Sequence, residues 1–272
     1  MRKLFILIGL FVALVLNGQV VKTSVVYAQP GGSSYPIILD DGNTVMWFAF
    51  EQDVTVTGDH VTNWGDISGN NNDLKNVGGT PHLLGTGILF DGIGDYLKTD
   101  AIVLDRPEMI YVVLKQVTWT EDDALFDGLT ILSAEIVQGY GESPSLAYMG
   151  WSTTQTDLVL DTWGILRLNV IDGTSSFQIN TVDAHTTTDD YGDMEGFIIG
   201  ARGAGADAWS NIEVKEIIIR KITDTAPNQT LIYDYLNNKH SLGLSMWLII
   251  LLIPMILPKY KKRFNKSLKI AA

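Results

Sequence analysis

Short apolar runs separated by turn-forming residues make up most of the middle of the chain. They are rich in β-branched and aromatic residues and span residues 45–50, 109–117, 163–171, 175–179, 197–199 and 214–219. Runs of this length predict buried strands, and Asp172-Gly173 between two of them predicts a tight hairpin. Because no helical period separates the runs, the pattern predicts an all-β protein built as an antiparallel sandwich.

A helical pattern follows the last of these runs. Thr225 and Pro227 suit the first turn of a helix, Ile232 and Leu236 form an i, i+4 apolar pair, and Asn237-Asn238 suits its end. We therefore predict one short helix near the end of the folded domain.

The first 28 residues have the pattern of a secretory signal. Arg2 and Lys3 precede an apolar stretch at residues 4–16, and Ala28 ends a plausible cleavage site. The long segment between the apolar stretch and Ala28 leaves an uncleaved anchor as the alternative. Residues 29–44 then form a predicted flexible leader.

The other end of the chain predicts a membrane anchor. Residues 242–258 carry no charge, and six basic residues follow in the tail 259–272. Such a run is nearly long enough to cross the hydrocarbon core as a transmembrane helix, whereas a buried core helix would not explain the basic stop. The positive-inside rule places the tail in the cytoplasm and the domain of residues 45–241 outside. We therefore expect an exported protein held at the cell membrane.

The charge distribution excludes one class of partner. The net charge is −12, and setting aside the nine basic residues of the two ends leaves −21 for residues 29–257. So acidic a middle repels phosphate backbones, which argues against nucleic acid. The chain contains no cysteine, which rules out disulfides and thiolate metal sites.

Two sequence motifs carry a resemblance to a known superfamily. Residues 64–74 have the form W-x-D-x-S-G-N-x-N-D-L, and residues 90–97 read F-D-G-x-x-D-Y-L. Near the end, E-I-I-I-R at 216–220 precedes Y-L-N-N-K at 235–239. From about residue 45 to 242 the chain resembles the laminin-G-like branch of the concanavalin A-like lectin/glucanase superfamily. The resemblance implies a jelly-roll sandwich, a fold that hosts lectins, hydrolases and structural modules.

No carboxylate pattern predicts catalysis. Glucanases of this superfamily use a Glu-x-Asp-x-x-Glu run, which this sequence lacks. Glu213 and Glu216 are three residues apart and are expected on opposite faces of a strand, while Glu121-Asp122-Asp123 is expected to be solvated loop charge. The four histidines are scattered without metal-ligand spacing. We therefore predict that the protein is not an enzyme.

A turn rich in oxygen ligands is the candidate metal site. Asp66, Asn70, Asn72 and Asp73 offer carboxylate and amide oxygens within one short segment, as calcium prefers. The alternative is that these side chains hydrogen-bond the turn itself. Calcium is the single cofactor that the sequence suggests.

Three aromatic residues are candidates for a sugar platform. Trp119, Tyr140 and Trp209 lie beside glycine-rich or acidic loops, where an exposed ring with polar neighbours would bind a saccharide. Burial in the sandwich is the alternative for each of them. Trp47 and Trp64 lie in apolar patterns and are expected in the core, as is Trp163.

Taken together, these features predict a membrane-anchored extracellular recognition module that is not catalytic and binds glycan or a surface protein. A structural spacer or assembly domain of a cell surface or particle is the alternative. A glycoside hydrolase ranks below both because no carboxylate pair is evident.

Overall fold

A computed structural model describes residues 35–242 of the chain and two short strands before them. Within that range it leaves out residues 140, 142–143, 149–153, 156–157, 182–184, 189–191 and 204–206. Most of the predicted signal segment, the start of the leader, and the predicted transmembrane helix and tail lie outside the described residues. No helix in the described part is both long and apolar enough to cross a membrane.

The described part is mainly antiparallel sheet. Its strands are β1 (Val15–Leu16), β2 (Gln19–Val20), β3 (Thr44–Ala49), β4 (Val54–Thr57), β5 (His60–Trp64), β6 (Leu74–Gly78), β7 (His82–Leu83), β8 (Ile88–Asp91), β9 (Tyr96–Lys98), β10 (Glu108–Gln116), β11 (Ala124–Gly128), β12 (Ile136–Gln138), β13 (Leu146–Tyr148), β14 (Thr154–Gln155), β15 (Trp163–Val170), β16 (Ser175–Ile179), β17 (His185–Thr187), β18 (Phe197–Ile199) and β19 (Asn211–Arg220). A 3-10 turn spans Ile37–Asp40, and the α-helix α1 spans Ala226–Lys239. The predicted antiparallel all-β class and the one short helix are thus confirmed.

The strands after β2 form two rows. The first row runs β17-β16-β15-β10-β19-β3, and the second runs β4-β5-β6-β9-β18-β11-β12-β13-β14. They are connected through β8 and β7, since β8 pairs with the first half of β19 and β7 pairs with β5. Backbone hydrogen bonds therefore run without interruption from one row to the other.

One apolar core lies between the two rows. Phe48, Val112 and Ile217 from the first row belong to the same buried cluster as Trp64 and Phe126 from the second. Alternation along the strands puts the other residues of the first row on its outer face, where Trp47 and Tyr111 pack beneath α1. The helix thus covers the sheet on the side away from the main core.

A β-bulge in β19 corrects the prediction for the two glutamates of this strand. Glu213 pairs with Lys115 and Glu216 pairs with Val113, so Lys215 is the extra residue between them. Val113 and Lys115 lie on the same face of β10, which puts both glutamates on the outer face as well. The expectation of opposite faces was wrong because residues three positions apart lie on opposite faces only in a strand without a bulge.

The buried carboxylate of Glu216 joins the helix to the sheet. It accepts hydrogen bonds from Trp47 Nε1 at 2.7 Å and Tyr235 Oη at 3.0 Å. Lys239 Nζ and His240 Nε2 each lie 2.7 Å from its second oxygen. Burial by itself raises the pKa of Glu216, but His240, Lys239 and Trp47 together hold it below the usual value.

We expect Glu216→Gln to lower the free energy of unfolding at pH 7 by about 3–5 kcal/mol, because it removes the charge that Lys239 faces. A carboxyl with a lowered pKa in the folded protein stabilises above its unfolded pKa near 4.5, and that contribution disappears as the pH falls through the folded pKa. The difference in the free energy of unfolding between the parent and the variant should therefore disappear as the pH falls below about 4.5. Urea unfolding at pH 7, 5, 4 and 3 measures this difference.

The matched control is Glu121→Gln, at an exposed position, which should change stability by less than about 0.5 kcal/mol. Equal stability of Glu216→Gln and its parent at every pH would contradict the role assigned to this carboxylate.

Candidate functional site

The candidate site lies where the loop after β10 meets the loop before β19. Val117 donates its backbone N–H to Asn211 O at 3.0 Å, which extends the ladder between these two strands. Trp119 follows in the first loop, and Trp209 precedes β19 in the second. Trp209 also bridges to Ala124 at the start of β11. We call this region the tryptophan end.

Both tryptophans at the tryptophan end are half-buried. Trp119 donates its indole N–H to the backbone oxygen of Ser145 at 3.1 Å. The indole nitrogen of Trp209 is buried and has no hydrogen-bond partner among the described residues. Trp119 is thus tied to the protein through its ring nitrogen, and both tryptophans are partly exposed residues. A partly exposed indole is what a saccharide platform requires.

Buried amide side chains hold the loop that carries Trp119. Gln138 donates to Thr118 O at 2.7 Å and to Gln116 Oε1 at 2.9 Å, and it accepts from Thr120 N at 2.7 Å. Both glutamines are fully buried. Because these bonds fix the backbone on both sides of Trp119, the ring has a defined position before any ligand binds.

A charged cluster surrounds Arg202 in the loop before Trp209. Its guanidinium binds the buried Glu135 through Nε, and its Nη2 lies 2.7 Å from Asp122 Oδ1. Asp207 Oδ1 is 3.9 Å from Nη1. Burial lowers the pKa of Arg202, but the hydrogen bonds with Glu135 and Asp122 raise it above the usual value. Burial also raises the pKa of Glu135, although the hydrogen bond and charge of Arg202 oppose the shift.

Asp127 fixes the backbone beside Arg202. Its two oxygens accept backbone N–H groups from Gly128 at 2.8 Å, Leu132 at 3.0 Å, Ala134 at 3.2 Å and Gly203 at 3.1 Å. Burial and the neighbouring Glu135 raise the pKa of Asp127 to about 7, against the effect of these donors. One carboxyl therefore ties the loop after β11 to the loop that carries Arg202.

The structure brings together only part of what the sequence suggested for this site. Trp119 and Trp209 lie at the same end, whereas Tyr140 lies outside the described residues. Trp47 and Trp64 are buried as expected. Trp163 is half-buried on the outer face of the first row, with Lys215 Nζ 4.1 Å from its ring centre.

Sequence reasoning missed Arg202 and Glu135 and misplaced Asp122. Asp122 was expected to be a solvated loop charge, but it binds Arg202. The available signal was the single arginine in the glycine-rich stretch 200–205, because an isolated charge in such a loop usually has a partner. Glu135 and Asp122 lie 67 and 80 positions earlier in the chain, separations that no short motif reveals.

The predicted calcium turn is held by hydrogen bonds of its own. Asp66 accepts the backbone N–H groups of Trp47 and Ser68 at 2.9 Å each and of Asn72 at 3.0 Å. Asp73 accepts the N–H of Asp66 at 2.9 Å. The side-chain amides of Asn70 and Asn72 donate to backbone oxygens of the neighbouring strand β3. These contacts give every candidate ligand a role in the turn, and calcium binding there stays a prediction.

Structural comparison finds similar folds in carbohydrate-active proteins. Domain 4 of a GH43 extracellular arabinanase from Geobacillus stearothermophilus, in complex with arabinotriose, matches with a TM-score of 0.53 and 17% identity, covering 71% of this chain and 98% of that one. A Trypanosoma rangeli sialidase in complex with sialic acid matches with a TM-score of 0.52 and 12% identity over 74% of this chain. A GH54 α-L-arabinofuranosidase has a TM-score of 0.52 and 12% identity over 65%.

The chain spans about a third of that sialidase, 34%, and half of that arabinofuranosidase, 50%. No protein-family model matches the sequence, and no curated protein matches it. At these identities the likeness shows the fold alone, an antiparallel β fold shared with carbohydrate-active proteins.

These comparisons correct the functional prediction. The predicted order was wrong: it ranked a non-catalytic module for glycan or a surface protein first, a structural spacer second and a glycoside hydrolase last, whereas the similar structures come from glycoside hydrolases and sialidases. The likeness of fold tests neither catalysis nor its absence in this chain. The prediction that the domain is not catalytic relied on the absence of a glucanase carboxylate motif and of metal-ligand spacing among the histidines. Such a motif detects catalytic carboxylates only when they follow one another along one strand. Asp122, Glu135 and Arg202 show that charged groups from distant segments also meet in this fold.

We expect Asp66→Ala to lower the free energy of unfolding by about 2–4 kcal/mol, because three backbone N–H groups lose a charged acceptor. Asp100→Asn, at an exposed position, is the control and should have little effect. The same thermal melts run with Ca²⁺ and with EDTA test the calcium prediction. A bound ion would raise the midpoint of the parent and not of Asp66→Ala.

Arg202→Leu should cost about 3–5 kcal/mol of stability, because it leaves the buried Glu135 without its charge partner. The double variant Arg202→Leu/Glu135→Leu should recover much of that loss. Asp207→Asn, which alters an exposed and distant contact of Arg202, should change stability by less than about 0.5 kcal/mol. A double variant no more stable than Arg202→Leu would contradict the pairing.

Proposed function

We propose that this domain is carbohydrate-active and binds a glycan chain at the tryptophan end. The observation that carries the proposal is the pair of half-buried indoles, Trp119 and Trp209, beside the charged cluster of Arg202. Aromatic faces stack on the apolar faces of sugar rings, and fixed polar groups next to them orient the hydroxyls. The sugar complexes among the similar structures support the same class of ligand.

The charges near Trp209 favour a neutral saccharide. Asp122, Glu135 and Asp207 set three carboxyl groups against the single guanidinium of Arg202, and the middle of the chain is acidic as a whole. An anionic sugar would be repelled there, whereas the hydroxyls of a neutral sugar can donate to the solvent-accessible carboxylates of Asp122 and Asp207. We therefore propose a neutral oligosaccharide as the ligand.

We further propose that the two rows form a concanavalin A-like jelly roll of the laminin-G-like branch. The support is the resemblance carried by residues 64–74 and 216–239, together with the single core shared by two antiparallel rows. Export, as residues 1–28 predict, would bring such a domain to extracellular glycans.

We expect the full chain to bind neutral oligosaccharides such as arabinotriose more tightly than sialylated ones. Trp119→Ala and Trp209→Ala should each weaken binding about tenfold, because each removes a stacking face worth roughly 1.4 kcal/mol. Isothermal titration calorimetry of the parent and both variants against the same sugars measures this effect.

Trp163→Ala is the matched control, since Trp163 is also half-buried but lies within β15 on the outer face of the first row, with Lys115 and Lys215 over its ring, and not in the loops of the tryptophan end. Its affinity should equal that of the parent. Equal affinities in all three variants would place the sugar elsewhere and contradict the proposal. The sequence-based prediction that the chain is not an enzyme stays a prediction. Reducing ends released from the same sugars would contradict it.

A further inference from the structure

We propose a second ligand site, for a divalent transition metal such as Zn²⁺, formed by Asp59, His60 and His82. One ligand atom from each of these side chains lies within 4.8 Å of the others. This site is separate from the tryptophan end and does not depend on the proposed glycan binding.

Strand pairing brings the two histidines together. His60 begins β5, His82 begins β7, and the two residues are direct partners in the antiparallel pairing. The flanking hydrogen bonds run from Val61 N to Pro81 O at 2.7 Å and from Leu83 N to Asp59 O at 2.8 Å. The histidines are therefore a pair without mutual backbone bonds, the arrangement in which facing side chains approach most closely. Their ring centres are 4.7 Å apart.

The carboxylate of Asp59 completes the group. One oxygen lies 3.0 Å from His82 Nδ1, and the other lies 3.7 Å from His60 Nε2. Ligand atoms about 2.0–2.2 Å from a tetrahedral zinc ion are about 3.3 Å from one another. The separations of 3.0 and 3.7 Å are close to that value, and no two of the three ligand atoms are more than 4.8 Å apart. Side-chain rotations of up to about 1.5 Å therefore bring the three atoms into coordination.

The chemistry of the three ligands selects the class of metal. Two imidazole nitrogens and one carboxylate suit Zn²⁺ and its borderline neighbours, whereas Ca²⁺ and Mg²⁺ prefer oxygen ligands alone. Three protein ligands leave a fourth position for water or another small donor.

The site is accessible to an ion from solvent. The side chains are 43% exposed in His60, 33% in His82 and 66% in Asp59, so no strand has to open. The acidic character of the chain attracts cations to its surface. Because the sheet fixes both histidine backbones, only side-chain freedom is lost on binding.

The absence of metal-ligand spacing in the sequence does not argue against this site. His60 and His82 are separated by 21 residues, and the chain between them passes through β5, β6 and the loop at residues 79–81 before returning as β7. The expectation that the histidines are scattered was wrong for this pair because spacing along the chain does not measure distance across a sheet.

The full chain, treated with EDTA and then freed of it, should bind one Zn²⁺ per chain in calorimetry with ZnCl₂ alone. His60→Gln and His82→Gln should each raise the Kd by about tenfold or more, and Asp59→Asn should also weaken binding. Co²⁺ in place of Zn²⁺ should give the visible absorption of a four-coordinate site in the parent, and this band should disappear in His60→Gln/His82→Gln.

His185→Gln, on a strand that pairs with β16, is the histidine control, and Asp100→Asn is the control for an exposed carboxylate; neither should change the Kd. Circular dichroism of each variant checks that the fold is retained. The proposal would be overturned if the double variant bound Zn²⁺ as tightly as the parent, or if the parent bound Ca²⁺ as tightly as Zn²⁺. Either result would show that the acidic surface attracts cations without a specific site.

Discussion

Much of this fold depends on one buried carboxylate that has to be satisfied. Glu216 lies in the middle of β19, where a lone negative charge would be strongly unfavourable. Its partners come from β3, from α1 and from the residue after α1. The same contacts that compensate the charge therefore hold the helix on the outer face of the first row. Arg220 at the end of β19 is a fully buried positive charge, and the carboxylates of Asp41 and Asp224 compensate it.

The tryptophan end uses similar buried polar groups for a different purpose. Gln138 binds a backbone group of the loop that carries Trp119, and Asp127 binds one of the loop that carries Arg202. Gln116 accepts a hydrogen bond from Gln138. Thr118 and Gly203 are thus tied to side chains of the neighbouring strands β12 and β11. A site arranged in this way loses little conformational freedom when a ligand binds.

The parts of the structure that the sequence predicted are those determined by local pattern. The apolar runs became β3, β10, β15, β16, β18 and β19, because β-branched residues and period-two burial act over a few residues. The helix followed Thr225 and Pro227 for the same reason. Trp119 and Trp209 were candidates because tryptophan beside polar loops is conspicuous in the sequence itself, and sugar binding by them stays a proposal.

What escaped prediction depends on pairing between distant segments. Arg202 meets Glu135, and His60 meets His82, only because particular strands are neighbours, and strand order is set by the whole core. The bulge at Lys215 escaped for a related reason, since a single inserted residue changes no apolar pattern. It nonetheless places Glu213 and Glu216 on the same face of β19, whereas a strand without the bulge would place them on opposite faces.

Lys215 also marks the point at which β19 changes partners. Up to Val214 the strand pairs with β8, and from Glu216 onward it pairs with β3. One long strand thus belongs to two ladders that are out of phase by a residue, and the bulge absorbs the offset. A deletion of this one lysine would force the two ladders into a common phase and turn one half of β19 inside out, so chain length at this position is under tighter geometric control than side-chain identity.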